Sequence, residues 1–372
     1  MDTFNIENGV LLRYTGTDGS VVIPSGVMCI GDGAFCGCGR IADVFIPDST
    51  VEIGAAAFEG CTSLKSLRIP VGIKRIGRRA FGDSRCLESI SLPDGLEELG
   101  DMALDNCASL KTLRIPRGVK CVRSNVLRRC ESLASVELHD GVLAVERGAF
   151  SFCTSLREIS FPDSVRELGG AVLAGCSSLV RARLPAEMRE IPKYFFHGCT
   201  SLRELALPEG TERICQDAFS DCRSLETIRL PDTLTLIEPA AFDGCTSLRE
   251  ISLPSAVKRV SMAAFRGCIS LKSADLNEGA PDIEPLAFEG CTSLERIVIP
   301  EGVGIIGKYV FSGCSSLKTV LLPNTLRVIG ESAFKDCTSL ESILIPGGTQ
   351  SVSEVAFDGC TSLLEYKRSK QG

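Results

Sequence analysis

The sequence has no tryptophan and no run of about 18 consecutive apolar residues. The second absence excludes a transmembrane helix of ordinary length, so we expect no membrane insertion. Hydrophobic residues still make up 44% of the 372 positions, which is enough for an extensive core. We expect that core to be built from leucine, isoleucine, valine and phenylalanine.

Histidine is almost missing as well, because His139 and His197 are the only two. Zinc sites use clustered histidine and cysteine residues at short spacings, and neither histidine has such neighbours. Cys36 and Cys38 form a C-x-C pair, but no second pair accompanies it. Motifs of serine hydrolases, zinc peptidases and paired-carboxylate enzymes are absent. We therefore predict no metal site, no cofactor, no catalytic residue and no enzyme activity.

One glycine-rich string, Gly302 to Lys308, matches the spacing of a phosphate-binding loop. Tyr309 stands where such a loop needs serine or threonine. The string also coincides with a turn that recurs through the whole chain, so we interpret it as part of a structural repeat.

An excess of positive charge is also lacking. The chain has 47 acidic and 40 basic residues, which gives a formal net charge of −7. Proteins that bind nucleic acids need a basic surface to contact the phosphates. We therefore expect no nucleic-acid partner.

Cysteine, in contrast, is abundant and periodic. Fourteen of the nineteen cysteines are spaced by 23 residues or a multiple of it, at positions 38, 61, 107, 130, 153, 176, 199, 222, 245, 268, 291, 314, 337 and 360. Ser84 occupies the one missing place, and no insertion or deletion interrupts the spacing. Strict self-similarity at this period is the signature of a solenoid.

The repeat around Cys245 shows how such a chain would fold. Ile251 and Leu253 are two residues apart, so they point to one face of a strand, and Pro254 ends that strand. One repeat is too small to bury these residues and Phe242, whereas stacked repeats bury them between neighbours. The strands would then pair in a parallel ladder with a rise of about 4.8 Å per repeat.

Stacked cysteines would have Cα atoms about 5 Å apart, within the range for a disulfide. Their side chains point in the same direction, however, which is poor geometry for bridging. We therefore predict buried, unreactive thiols. Five cysteines lie outside the period, and we expect one or two of them to be exposed: Cys29, Cys36, Cys86, Cys121 and Cys215.

The first residues, Met1 to Glu7, lack the basic segment and the apolar stretch of a signal peptide. Free thiols also suit a reducing compartment. The sequence as given therefore predicts a cytoplasmic protein. The alternative is a cell-surface or secreted protein, if this sequence is part of a longer exported chain.

The string from Ile299 to Leu317 resembles the BspA-like, or Treponema-type, leucine-rich repeat. The resemblance covers nearly the whole chain. It implies a β-rich solenoid that coils as a right-handed superhelix, with a parallel sheet on its concave face. Members of this family are often bacterial or protozoan surface proteins that act in adhesion or interaction.

The chain divides into three parts by pattern. Two short strands around Asn8-Gly9 predict a β-hairpin, and residues 1–20 are interpreted as an N-terminal cap. Residues 21–366 form the predicted solenoid of about 15 repeats, and residues 367–372 form a basic C-terminal tail.

Candidate binding residues come from the sheet face. Outward-facing residues are the fifth and seventh after each cysteine position, here named column 5 and column 7. Val298, Leu321 and Leu344 follow one another in column 7. An apolar patch with a polar rim suits a protein partner or weak self-association near the C-terminal end. The alternative is that these are ordinary sheet residues with high β propensity.

Arginines form a second candidate set for an acidic ligand: Arg68, Arg114, Arg183 and Arg229 in column 7, and Arg181 in column 5. Glutamates on nearby strands would partly neutralise them, so we rank this set below the apolar patch.

The sequence therefore predicts a non-catalytic protein–protein interaction scaffold that uses the concave sheet face, with a protein partner of unknown identity. The alternative is a bacterial cell-surface or secreted adhesin that binds a host protein or glycan. Sugar binding favours exposed aromatic residues, and Phe45 is the only one in column 7.

Overall fold

A computed structural model describes residues 3–279 and 282–368 of the chain. Each repeat contributes two short strands joined by turns, and no helix occurs within those ranges. The prediction of a parallel β-solenoid with a repeat of about 23 residues is confirmed, and the solenoid has about 15 turns.

The chain begins with an antiparallel hairpin formed by Phe4–Glu7 (β1) and Val10–Tyr14 (β2). Asn8 and Gly9 make its turn with φ angles of 49° and 78°, the left-handed conformation that these residue types tolerate best. Strand β2 also pairs in parallel with Cys29–Ile30 (β4), so the hairpin extends the sheet of the first repeats.

One strand of each repeat lies five to seven residues after the cysteine position, and we name this set row A. Row A strands pair in parallel with the equivalent strand 23 residues away; Ile251, for example, aligns with Ala274. The row A strands are Ser20–Val22 (β3), Asp43–Phe45 (β5), Ser66–Arg68 (β7), Ser89–Ser91 (β9), Thr112–Arg114 (β11), Ser135–Glu137 (β13), Glu158–Ser160 (β15), Arg181–Arg183 (β17), Glu204–Ala206 (β19), Thr227–Arg229 (β21), Glu250–Ser252 (β23), Ser273–Asp275 (β25), Arg296–Val298 (β27), Thr319–Leu321 (β29), Ser342–Ile345 (β31) and Glu365–Arg368 (β33).

The other strand of each repeat has two residues and ends eight residues before the cysteine position; we name this set row B. Its residues alternate between a buried aliphatic side chain and an outward one, as in Leu236 and Ile237. The row B strands are β4, Glu52–Ile53 (β6), Arg75–Ile76 (β8), Glu98–Leu99 (β10), Cys121–Val122 (β12), Ala144–Val145 (β14), Glu167–Leu168 (β16), Glu190–Ile191 (β18), Arg213–Ile214 (β20), Leu236–Ile237 (β22), Arg259–Val260 (β24), Asp282–Ile283 (β26), Ile305–Ile306 (β28), Val328–Ile329 (β30) and Ser351–Val352 (β32).

The chain forms two compact units, Met1–Pro185 and Ala186–Gly372. In the second unit, row B makes one continuous eight-stranded parallel sheet from β18 to β32. The division into a cap at 1–20, a solenoid at 21–366 and a basic tail at 367–372 stays a prediction. Residues 1–2 and 369–372 lie outside the described residues, while 367 and 368 belong to β33.

Phenylalanine three residues before the cysteine position forms the centre of the core. In the second unit the rings stack from Phe196 to Phe357 with centroids 5.2–5.6 Å apart. Burying each ring stabilises the fold by roughly 1.5–3 kcal/mol. In the first unit, fully buried Leu104, Leu127 and Leu173 take this place and interrupt the aromatic stack.

The periodic cysteines bond to the repeat before them. The Cys245 thiol donates a hydrogen bond to the carbonyl oxygen of Phe219, 3.2 Å away. Ser84 makes the same bond through its hydroxyl, which donates to the Phe58 carbonyl oxygen at 2.9 Å. This position therefore requires a small buried donor, and serine replaces cysteine at no cost in hydrogen bonds.

All nineteen cysteines lie within the described residues, and all carry free thiols. Burial raises the pKa of Cys61, Cys176 and Cys314 to about 12 each. Cys36 and Cys86 are the two exposed cysteines, and both lie outside the 23-residue period. The prediction of buried thiols with one or two exposed exceptions is confirmed.

Each repeat also contains a left-handed residue five positions before the cysteine position. Ala240 and Ala263 have φ angles of 56° and 55°, and glycine takes this place at Gly33 and Gly148. The left-handed conformation costs a residue with a side chain roughly 1–2 kcal/mol, because its Cβ approaches the backbone. Glycine avoids that contact.

We predict that Ala240→Gly stabilises the protein and that Ala241→Gly destabilises it. The first change relieves left-handed strain of about 1–2 kcal/mol, which exceeds the entropic cost of glycine of about 0.5–1 kcal/mol. Ala241 is fully buried and its φ is not positive, so its loss removes core contact and adds only the entropic cost. Urea midpoints that move in the same direction for both variants would contradict this account.

Candidate interaction surface

The three apolar residues of column 7 lie side by side on row A of the second unit. Val298, Leu321 and Leu344 are 47%, 45% and 60% exposed, on β27, β29 and β31. Val298 aligns directly with Leu321 in the parallel pairing of their strands. We name these three residues the apolar patch.

A groove of about 1460 Å³ adjoins the apolar patch and runs over row A from β21 to β29. Ala274 lies beneath it, in a place that most repeats fill with a larger aliphatic residue. Asn277 replaces the usual proline, with a φ of 53°. Its amide nitrogen donates to the carbonyl oxygens of Leu253 at 3.1 Å and Pro254 at 2.8 Å. These bonds fix the wall of the groove.

The groove was not predicted from the sequence. Its signals were present in two departures from the repeat, Ala274 and Asn277, and each looked like an isolated exception. Five carboxylates and three cationic side chains line the groove, which gives it a formal charge of −2.

Two of the predicted arginines are held by carboxylates of the preceding repeat. Arg114 Nη2 lies 2.7 Å from Asp94 Oδ1, and Arg183 Nη2 lies 2.6 Å from Asp163 Oδ2. The hydrogen bond from Arg114 holds the pKa of Asp94 below its ordinary value of 3.8. These guanidinium groups are therefore already partly neutralised.

The other three predicted arginines are placed differently. Arg68 and Arg181 lie on row A of the first unit, and Arg229 lies on row A of the second. In the described part of the chain, no side-chain hydrogen bond or ion pair involves any of these three. The structure does not gather the five arginines into one cluster, and an acidic-ligand site built from them stays a prediction.

The glycine-rich string has the ordinary repeat structure. Gly302 lies in a turn at a φ of 100°, and Ile305–Ile306 is a row B strand. In residues 3–279 and 282–368, no group of three or more histidine, cysteine, aspartate or glutamate side chains is arranged to hold a metal ion. The same residues contain no helix that is both long and apolar enough to cross a bilayer.

His139 replaces proline at the end of a row A strand and builds its own turn. Its Nε2 lies 3.1 Å from the carbonyl oxygen of Val119, and its Nδ1 accepts a hydrogen bond from the Gly141 amide at 2.9 Å. His139 thus has a structural role in this fold.

The stacked parallel strands and the buried leucine and phenylalanine columns define a leucine-rich repeat solenoid. The sequence pattern of the BspA type leucine rich repeat region matches residues 14–134, 120–249 and 235–364. The chain therefore belongs to the BspA type leucine rich repeat family, as the resemblance in the sequence predicted.

Solved structures of bacterial proteins are similar to this chain. A leucine rich cell surface protein from Faecalibacterium prausnitzii A2-165 is 31% identical, with a TM-score of 0.62 over 86% of this chain and 92% of that one. A leucine-rich repeat protein from Bacteroides ovatus ATCC 8483 is 27% identical, with a TM-score of 0.62 over 99% and 97%. A comparison with curated protein sequences gives no match.

We predict that Arg114→Gln raises the pKa of Asp94 towards its ordinary value. In the native protein the depressed pKa contributes stability above the unfolded-state pKa, and this contribution is lost as the pH falls through the folded-state value. Carboxyl NMR titration of both proteins measures the shift. Arg68→Gln is the control, since Arg68 lies in the same column and has no carboxylate partner. Equal titration of Asp94 in the native and Arg114→Gln proteins would show that the ion pair does not form in solution.

Proposed function

We propose that this protein is a non-catalytic protein-binding scaffold whose binding surface is the row A face, centred on the apolar patch. The observation that carries the proposal is the run of three exposed aliphatic side chains on consecutive row A strands. Single exposed aliphatic residues are normal on protein surfaces, whereas contiguous ones beside a groove mark interaction sites.

The form of the surface supports a macromolecular partner. Row A presents side chains at a fixed spacing of about 4.8 Å on a backbone that is hydrogen-bonded to both neighbouring repeats. A partner therefore meets a preorganised surface and loses little affinity to ordering the scaffold. The polar residues beside the patch in column 5, Arg296, Thr319 and Ser342, provide the rim typical of such interfaces.

A second candidate function is adhesion at the cell surface. The Faecalibacterium protein is described as a cell surface protein, and the similarity to it supports this alternative. Val22 and Phe45, aligned on β3 and β5, are 66% and 63% exposed and offer a second apolar contact for a host protein or glycan. Labelling of intact cells with a membrane-impermeant reagent distinguishes an adhesin, which is labelled, from a cytoplasmic scaffold, which is not.

We predict that Leu321→Asp abolishes binding through the row A face without unfolding the protein. The charge falls in the middle of the apolar patch, where a partner would have to desolvate it at a cost of several kcal/mol. Two measurements check this: the solution mass by light scattering, and quantitative mass spectrometry of proteins retained from cell extract by the native and variant chains.

Ile269→Asp is the matched control, because Ile269 is 46% exposed in a turn of the same unit and lies outside row A. We expect this control to retain every interaction of the native protein. A dimer that Leu321→Asp splits would identify the patch as a self-association surface. Equal mass and equal retained proteins for native, Leu321→Asp and Ile269→Asp chains would refute the proposal.

A further inference from the structure

The carboxylates beside row A have different neighbours in the two units. We name the tenth residue after each cysteine position column 10. In the first unit, Asp94 and Asp163 of column 10 each bind an arginine of column 7 that follows 20 residues later. The repeat keeps this spacing throughout, so column 10 of one repeat always lies beside column 7 of the next.

In the second unit the arginine partners are replaced. Glu278 has Val298 at the 20-residue spacing, and Glu301 has Leu321. All four residues line the groove. Two carboxylates that the repeat pattern would pair with cations therefore lie beside the apolar patch.

These two carboxylates have no cationic partner within the described residues. Glu278 is exposed and makes no side-chain hydrogen bond there. Glu301 Oε1 accepts hydrogen bonds from the backbone and side-chain nitrogens of Asn324, at 3.0 and 3.4 Å. These bonds orient the Glu301 carboxylate without neutralising its charge. The surface thus offers an aliphatic strip with a row of available negative charge along one edge.

We infer that this groove binds an extended polypeptide segment that carries both aliphatic and lysine or arginine side chains. This inference rests on the proposed function and names the chemistry of the partner. Aliphatic side chains of the segment contact Val298 and Leu321, and its cationic groups pair with Glu278 and Glu301. Such a pairing on the rim contributes mainly to specificity and association rate, whereas the aliphatic contact supplies most of the affinity.

The size of the groove favours a polypeptide over a small cationic molecule. Sites for small ligands have volumes of about 300–1,000 Å³ and enclose most of the ligand. The groove exceeds this range at about 1460 Å³ and spans five row A strands. A chain of several residues matches that length.

The basic residues of the groove give the segment a preferred placement. Arg296 lies in column 5 on the same strand as Val298, on the side of the strip away from column 10. The strip therefore has a cation along one edge and carboxylates along the other. A cationic segment is attracted to the column 10 edge and repelled by Arg296, which predicts effects of opposite sign for the two edges.

The first experiment selects from a displayed library of random nonapeptides on the immobilised full chain, with Leu321→Asp as the counter-selection. We expect the enriched peptides to carry more lysine and arginine than the starting library, together with leucine, isoleucine, valine or phenylalanine. Enrichment of acidic or uncharged sequences that Leu321→Asp abolishes would overturn the inference and leave the proposed function intact. The same peptides enriched on both chains, or none on either, would overturn the proposed function itself.

The second experiment measures the affinity of the most enriched peptide by fluorescence anisotropy. We expect the double reversal Glu278→Lys with Glu301→Lys to weaken binding about tenfold, and Arg296→Glu to strengthen it. Glu354→Lys is the control for net charge, because Glu354 is exposed in a turn outside row A. Thermal melting confirms that each variant is folded. Binding within twofold of native for both the double reversal and Arg296→Glu would overturn the inference.

Discussion

The structure depends on one constraint: equivalent residues of successive repeats must lie directly on one another, 23 residues apart. Backbone groups inside the turns find their partners only in the next repeat, as in the bond from the Phe242 amide to the Ala264 carbonyl oxygen at 2.9 Å. The Cys245 thiol, in turn, bonds back to the repeat before it. An inserted residue would leave these buried groups without partners, at a cost of about 1–3 kcal/mol each. This explains why the spacing tolerates no insertion.

The same constraint separates residues that hold the fold from residues that are free to vary. Phe242, Leu248 and Ile251 are buried between neighbours and determine stability. Outward residues of row A contact only the adjacent column, so they change without disturbing the backbone. An arginine in column 7 of the first unit and a valine or leucine in column 7 of the second are therefore equally compatible with the fold. Binding chemistry is written in these columns.

Much of the fold was predictable because the buried columns repeat. The period, the row A strands, the terminating prolines and the buried thiols all follow from residues such as Ile251, Pro254 and Cys245. Row B was harder to predict as a regular ladder, because strands of two residues such as Leu236–Ile237 show too little alternation. Left-handed residues such as Ala240 were missed because alanine gives no sequence signal for that conformation.

The candidate surface was only half predictable. Val298, Leu321 and Leu344 stand out in column 7 because their apolar character breaks the pattern of that column. The groove depends on which side chains are small and on how Asn277 bonds to the turn below it, and neither is visible in a single repeat. The pairing of Arg114 with Asp94 joins residues from different repeats and different columns. It becomes apparent only when the repeats are stacked.

The buried thiols have a consequence for the compartments in which this protein can function. A thiol reacts with oxidants and disulfides through its thiolate, and a pKa of about 12 leaves almost no thiolate in Cys61 or Cys176 at neutral pH. Each thiol is also shielded by the repeats on either side. The cysteine column is therefore chemically silent, and a chain with this many cysteines can fold and persist in an oxidising environment as readily as in a reducing one.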